Sequence, residues 1–237
     1  MSSPPGVSVI LPSYNERENI VLLIDAIHRE IKDRDHEILV VDDGSYDGTC
    51  AAVASLADGR VKVLLNSARL GLGRSIRRGL EEAKGEMVVI MDSDFDHNPE
   101  MLRSLVHGLG SFDCVLVSRF FRPPVFWRRP RYVLSWAFNI LLRRMTGIRI
   151  TDSLYGFFAV KRSVIQKCPY SRIFWGHGDY GMRLCYYLQE NNSRILELPA
   201  VLGKRRCGKG NRHLLRTFCR YLAAAVDLTW LRLKNDV

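Results

Sequence analysis

Short apolar runs alternate along the first half of the chain with longer stretches in which apolar residues recur every three to four positions. Val7–Leu11 (VSVIL), Glu37–Val41 (EILVV), Val61–Leu65 (VKVLL), Met87–Met91 (MVVIM) and Cys114–Ser118 (CVLVS) read as short buried strands. Between them, residues 18–32, Thr49–Leu56, Gly73–Lys84 and Pro99–Leu109 read as helices, the third stopping at Gly85. This alternation predicts an α/β fold with a doubly wound, mostly parallel sheet. After Ser118 the pattern changes. An amphipathic helix is expected over 131–146, a strand within 152–165, a helix over 176–190, a strand at Ile195–Leu198 and a long helix over 212–234.

Ligands of such sheets bind beyond the carboxyl ends of the strands. Four polar segments fall there: Pro12–Glu16, Asp42–Asp47, Asn66–Gly73 and Asp92–His97. They are expected to converge on one crevice.

Each segment carries its own chemistry. Asp92-Ser93-Asp94-Phe95-Asp96-His97 places three carboxylates at alternate positions on a strand end. Clustered carboxylates repel unless a cation neutralises them. Hard oxygen ligands suit Mg2+ or Mn2+, which also bridge phosphates, so Asp92, Asp94 and Asp96 are candidate metal ligands; the alternative is an acidic loop capping the helix after Pro99. Asp43 can accept hydrogen bonds from a base or ribose, while Gly44 and Gly48 permit close backbone approach. By itself the segment also reads as a polar turn. Gly71 and Gly73 open a helix where a chain can pass near a diphosphate, and Arg69 can pair with that group. A nicotinamide-type glycine fingerprint and a P-loop are both absent.

With 237 residues the chain can bury one large core. Its formal net charge of +10 calls for an anionic partner: nucleic acid, a phosphorylated substrate or an acidic membrane face. Basic residues concentrate in Arg122–Arg149 and Lys204–Arg220. The six cysteines, at 50, 114, 168, 185, 207 and 219, form no CxxC pair or zinc spacing and read as small buried hydrophobes in a reducing compartment. No basic leader precedes a long apolar stretch and no apolar run could span a bilayer, so a cytoplasmic location is expected.

Taken together, Pro12-Ser13-Tyr14-Asn15-Glu16-Arg17-Glu18-Asn19, Val41-Asp42-Asp43-Gly44-Ser45 with Asp47-Gly48-Thr49, Gly71-Leu72-Gly73 and Asp92-Ser93-Asp94 resemble glycosyltransferase family 2. More narrowly they resemble the polyprenyl-phosphate sugar synthases, over about residues 7–211. The resemblance implies a GT-A fold, a nucleotide-diphosphate sugar donor of the GDP-mannose or UDP-hexose class, a polyprenyl phosphate acceptor and inversion at the anomeric carbon. It implies nucleotide contacts from Pro12, Tyr14, Glu16 and Asp43, and metal and donor contacts from the acidic strand end, where Asp96 replaces the family's frequent Gln.

The acceptor half resembles the family less completely. Ser118-Arg119-Phe120 is similar to its Gly-Ser/Thr-Arg-Tyr turn, and Trp127, Arg131, Ser135 and Asn139 reproduce W-x3-R-x3-S-x3-N. Four-residue spacing puts Arg131, Ser135 and Asn139 on one helix face, a plain polar face being the alternative. Asp152–Phe158 follows D-x-T-x-G-F-R with Leu154 for Thr and Phe158 for Arg; Arg205–Asn211 keeps R-x-x-G, with Gly210-Asn211 for Ser-Lys. Arg119, Arg131 and Arg205 are the arginines expected to receive an acceptor phosphate. Asp179 reads equally as a general base for a hydroxyl acceptor or as a helix cap.

The expected organisation is one domain: a donor half over 1–118, an acceptor half over 119–211 and an amphipathic helix over 212–237. Leu214, Leu215, Phe218, Tyr221, Leu222 and Trp230 lie among Arg212, Arg216, Arg220 and Arg232, while Trp136, Phe138 and Leu141 lie beside Arg143 and Arg144. Such helices suit the cytoplasmic face of a membrane, or else they pack on the core or on a partner. Nucleic acid is not an expected partner, because an acidic crevice repels phosphates without a metal.

Overall fold

The structure, a computed structural model, describes residues 6–121, 130–176, 178–201 and 214–235. The elements run β1 (Val7–Ser13), α1 (Arg17–Glu30), β2 (His36–Asp42), α2 (Thr49–Ala54), β3 (Val61–Leu65), α3 (Leu72–Glu82), β4 (Met87–Ile90), α4 (Met101–Gly108) and β5 (Cys114–Ser118). There follow α5 (Pro130–Thr146), β6 (Phe158–Lys161), α6 (Arg162–Ile165), α7 (Tyr170–Ile173), α8 (Tyr180–Glu190), β7 (Ile195–Pro199) and α9 (Leu214–Asn235). The one-turn helices α6 and α7 have no counterpart in the sequence expectations.

One seven-stranded sheet has the order β3-β2-β1-β4-β6-β5-β7. All pairings are parallel except those of β6, which lies antiparallel between β4 and β5. The apolar runs are continuous rather than alternating because helices cover both faces. In β1, Val7, Val9 and Leu11 face a core shared with α1 and α4, while Ile10 faces the opposite core with α3, α8 and α9. Fully burying one such side chain contributes about 1.5–3 kcal/mol.

Register places the site. Ser13 pairs with Asp42, Asp42 with Leu65, and Ile10 with Ile90, so the chain leaves β1, β2, β3 and β4 at one edge of the sheet.

On the face of the sheet that also carries α3 and α8, α5 and α9 pack together. The Phe138 and Phe218 rings stack at 4.1 Å, and Thr229 donates to the carbonyl of Met145 at 2.9 Å. Ala224, Ala225 and Leu228 are buried. Tyr221 and Phe138 therefore face the protein rather than a membrane, because the two helices shield each other. Leu134 and Leu141 on α5, and Val226, Trp230 and Leu233 on α9, remain exposed. Among the described residues no helix is long and apolar enough to cross a membrane. Cys114, Cys168 and Cys185 are buried free thiols as expected, but Cys50 is only partly buried and Cys219 is exposed on α9; Cys207 lies outside the described residues.

Candidate active site

The four polar segments meet, and hydrogen bonds join them. Ser93 Oγ donates to the carbonyl of Pro12 at 2.9 Å and lies 2.8 Å from Ser13 Oγ, tying the turn after β4 to the end of β1. The Asn15 N–H donates to Ser45 Oγ at 2.8 Å, and the Tyr46 N–H returns to Asn15 Oδ1 at 3.1 Å. Glu16 contributes its N–H to Thr49 Oγ1, and its carboxylate accepts from Asn19 Nδ2 at 2.7 Å. Asn15 and Phe95, in two of these turns, hold left-handed φ values of 57° and 64°. Such conformations are uncommon without glycine and collect at functional turns.

Asp43 faces inward. Its Oδ1 accepts from Asn66 Nδ2 at 2.9 Å and the Leu70 N–H at 2.7 Å, and its Oδ2 from the Gly71 N–H at 2.8 Å. The carboxylate thus folds the 66–71 loop. Gly71, with φ 89°, turns that loop into α3. The loop presents Arg69, whose guanidinium lies 3.9 Å from the centroid of the Tyr14 ring. A cation over an aromatic face at an exposed site is held by about 0.5–1 kcal/mol.

The acidic segment departs from expectation. β4 ends at Ile90, and residues beyond it form a turn rather than an extended strand. Phe95 is left-handed and Asp94 Oδ1 accepts the Asp96 N–H at 3.0 Å, so alternate residues no longer share one side. Asp94 is 7% exposed, Asp92 is partly exposed and Asp96 is exposed. Among the described residues no group of three or more His, Cys, Asp or Glu is placed to hold an ion by itself. The donor chemistry still fits a hard divalent ion bound jointly with a diphosphate, since Mg2+ commonly takes one or two carboxylates and completes its shell with phosphates and water.

His97 and Tyr155 shape this turn, and the sequence reading gave neither a role. His97 Nδ1 accepts the Asp92 N–H at 2.9 Å, so the ring proton resides on Nε2 and is donated to the Tyr155 carbonyl at 2.9 Å. The imidazole is fully buried, stacked at 4.7 Å on Phe157. Tyr155 Oη donates to the Asp96 carbonyl at 2.8 Å. The signal was present as a histidine inside the acidic segment, but its partners lie some 58 residues away.

On the acceptor side, Arg119 is engaged. Its Nε and Nη2 donate to Asp152 Oδ2 and Oδ1 at 2.7 and 2.9 Å, a planar fork on a buried carboxylate. Asn139, expected at a substrate, is buried. Its Nδ2 donates to the Ser135 carbonyl at 3.0 Å and its Oδ1 accepts the Ser153 N–H at 3.2 Å. Ser135 is half-buried one turn away. Arg131 sits in the first turn of α5, and Arg205 lies outside the described residues. Phe158, where the family places Arg, is a core residue of β6 paired with Ile90. Asp179 occupies the N-cap position of α8 without a side-chain capping bond. It is buried, and its Oδ2 accepts from Arg183 Nε at 2.9 Å.

The sheet order, with one antiparallel strand and polar turns gathered at the carboxyl edge, defines a GT-A-type α/β fold. Solved structures agree: glucosyl-3-phosphoglycerate synthase from Mycobacterium tuberculosis, in complex with Mn2+, uridine diphosphate and phosphoglyceric acid, superposes with a TM-score of 0.75 at 21% identity over 95% of this chain and 78% of that one. The same enzyme with Mg2+ and uridine diphosphate gives 0.69. Residues 8–168 match the family described as Glycosyl transferase family 2. The chain belongs to glycosyl transferase family 2, a family of sugar-transferring enzymes. It is 32% identical over 209 residues to the polyprenol monophosphomannose synthase of Mycolicibacterium smegmatis, covering 84% of this chain and 78% of that one. It is 30% identical to the undecaprenyl-phosphate mannosyltransferase of Micrococcus luteus, covering 86% of each. The dolichol-phosphate mannosyltransferase of Pyrococcus furiosus is also 30% identical, and this chain spans 58% of its length.

Proposed function

We propose that this chain transfers a hexosyl group from a nucleotide-diphosphate sugar to a polyprenyl phosphate, with inversion. The reading is carried by the acidic turn Asp92–Asp96 lying beside the turns of β1 and β2 in a chain whose relatives are named for polyprenyl-phosphate mannose synthesis. Residues 1–118 bind the donor and 119–211 the acceptor, and the segment 212–237 carries the amphipathic helix α9. Pro12, Tyr14, Glu16, Arg69 and Gly71 border the nucleotide, and Asp43 keeps the Arg69 loop in place. Asp92 and Asp94 would hold Mg2+ or Mn2+, which when bound supplies positive charge for the departing diphosphate. Arg131 and Ser135 take the acceptor phosphate, and Arg119 borders it through the N–H groups its fork leaves over.

In the transfer, an acceptor phosphate oxygen forms a bond to the anomeric carbon as the bond to the nucleotide diphosphate breaks, and the electron pair leaves with the diphosphate. A phosphate is already ionised at neutral pH, so no base is needed. This agrees with Asp179, which is buried against Arg183 rather than open to a hydroxyl. The exposed residues Leu134, Leu141, Val226, Trp230 and Leu233, with Arg144, Arg232 and Lys234, suit a peripheral position on the cytoplasmic face of a membrane. The deciding experiment is radiolabelled transfer from a panel of GDP- and UDP-sugars to extracted lipid phosphate, with and without EDTA. Label should enter the lipid only when the metal is present. Label in hydroxyl acceptors alone would overturn the phosphate assignment, and full activity in EDTA the metal.

A further inference from the structure

Arg183 on α8 is 3% exposed and stands between two carboxylates from different parts of the chain. Its Nε donates to Asp179 Oδ2 at 2.9 Å and its Nη1 to Asp227 Oδ2 on α9 at 2.6 Å. Its guanidinium also lies 5.2 Å from the Trp175 ring centroid. Asp179 in turn touches the turn that precedes it: a Cβ on Gly176 would come within 2.5 Å of Asp179 Oδ1. The Gly176 carbonyl accepts the Gly73 N–H at 3.2 Å, in the first turn of α3, and a Cβ on Gly73 would come within 2.7 Å of that oxygen. From the other side the Tyr221 hydroxyl of α9 rests on Gly178. Burial and the neighbouring Asp179 carboxylate push that hydroxyl up to about 12, so it stays protonated. The turn before α8 is thus gripped between the donor-side helix and the C-terminal helix.

We propose that Arg183 is a positioning residue, anchored by Asp227, that transmits the seating of α9 through Asp179 to Gly176 and so to the Gly71–Gly73 edge of the donor crevice. The site is then complete only when α9 is docked. The proposal rests on the reading that a nucleotide sugar occupies the crevice beside α3. The geometry offers a clean lever. Asp227 is half exposed, so its charge can be removed while Arg183 keeps Asp179 as a partner and is not left buried alone.

The test compares full-length wild type, Asp227→Asn and Asp227→Glu. Two readouts are taken: kcat and KM with lipid phosphate, and amide hydrogen exchange of residues 174–181. For Asp227→Asn the expected result is an about three- to five-fold fall in kcat, the scale of losing one partly exposed ion pair. Nucleoside-diphosphate affinity should change less than about two-fold, and exchange at 174–181 should rise. Asp227→Glu should recover most of both. Unchanged exchange at 174–181 in Asp227→Asn would overturn the proposal, as would a fall in melting temperature with wild-type kcat per folded molecule. If wild type transfers no sugar to lipid phosphate, the reading of the substrate fails separately, while the exchange arm still decides whether α9 holds the turn.

Discussion

The two sides of the crevice are held in different ways. On the donor side, turns after parallel strands are fixed by backbone N–H groups donating to short polar side chains: Leu70 and Gly71 to Asp43, Asn15 to Ser45, Asp92 to His97. On the acceptor side, ion pairs around buried groups do the holding: Arg119 with buried Asp152, and buried Arg183 with Asp179 and the half-exposed Asp227. Losing a donor-side link leaves neutral N–H groups wanting partners. Losing the sole partner of an acceptor-side charge, as at Arg119 and Asp152, leaves that charge inside the protein, which is far more costly.

The largest effect is expected at the chemistry itself. Asp94→Asn removes the charge but keeps an oxygen that can still accept the Asp96 N–H, so the turn should persist. Transfer should fall by at least about 10²–10³-fold, the scale of one lost electrostatic stabiliser, with an unchanged circular dichroism spectrum. Near-normal turnover would remove Asp94 from the site.

Asp152→Ala tests the acceptor side directly. It strands Arg119 in a buried place and should destabilise the fold by about 3–5 kcal/mol in urea unfolding. The double variant Arg119→Ala/Asp152→Ala should lose less than the sum of the two singles. Additive losses would mean that the pair is not coupled.

Asp43→Ala sharpens the contrast. Three donors lose their acceptor, at about 1–3 kcal/mol for the buried groups left unsatisfied. Because the freed loop carries Arg69, affinity for free nucleoside diphosphate should weaken as well. If stability fell and nucleotide affinity held, the loop would have no part in binding the donor.

The same contrast explains what could be read in the sequence. Strand ends in a parallel sheet lie at one edge whatever their distance along the chain, so Pro12, Asp43, Gly71 and Asp92 could be gathered from periodicity alone. The sheet order, with its one antiparallel strand, also agrees with the family resemblance. Side-chain direction was not legible: nothing local says that Asp43 turns inward or that Phe95 winds Asp92–Asp96 out of an extended conformation. The acceptor side was less legible still. Arg119 and Asp152 are 33 residues apart and Arg183 and Asp227 are 44 apart. Spacing rules reach one turn of helix, so they put Asn139 on one face with Arg131 and Ser135, but could not show its tie to Ser153.

The smallest effect concerns pH, at the far end of the acceptor-side strands. Asp113 precedes β5 and accepts from the Arg194 N–H at 3.0 Å and from Lys161 Nζ at 3.1 Å, linking the starts of β5 and β7 to the end of the antiparallel β6. The Arg194 N–H, chiefly, holds the carboxyl down to about 2 against a burial effect that opposes it, with the Arg194 and Lys161 cations assisting. An unfolded aspartate titrates near 3.9. The folded value is the lower one, so Asp113 stabilises the protein fully above about pH 4. That contribution is lost as pH falls from about 4 to 2, when the folded carboxylate finally takes up its proton. The links are open to solvent, so Asp113→Asn should cost at most about 1 kcal/mol at neutral pH. Urea unfolding of wild type and Asp113→Asn across this range should show two stability curves converging toward pH 2. A gap that stayed constant down to pH 2 would mean that shape and not charge makes the link, and that the ion pairs of this side matter only where they are buried.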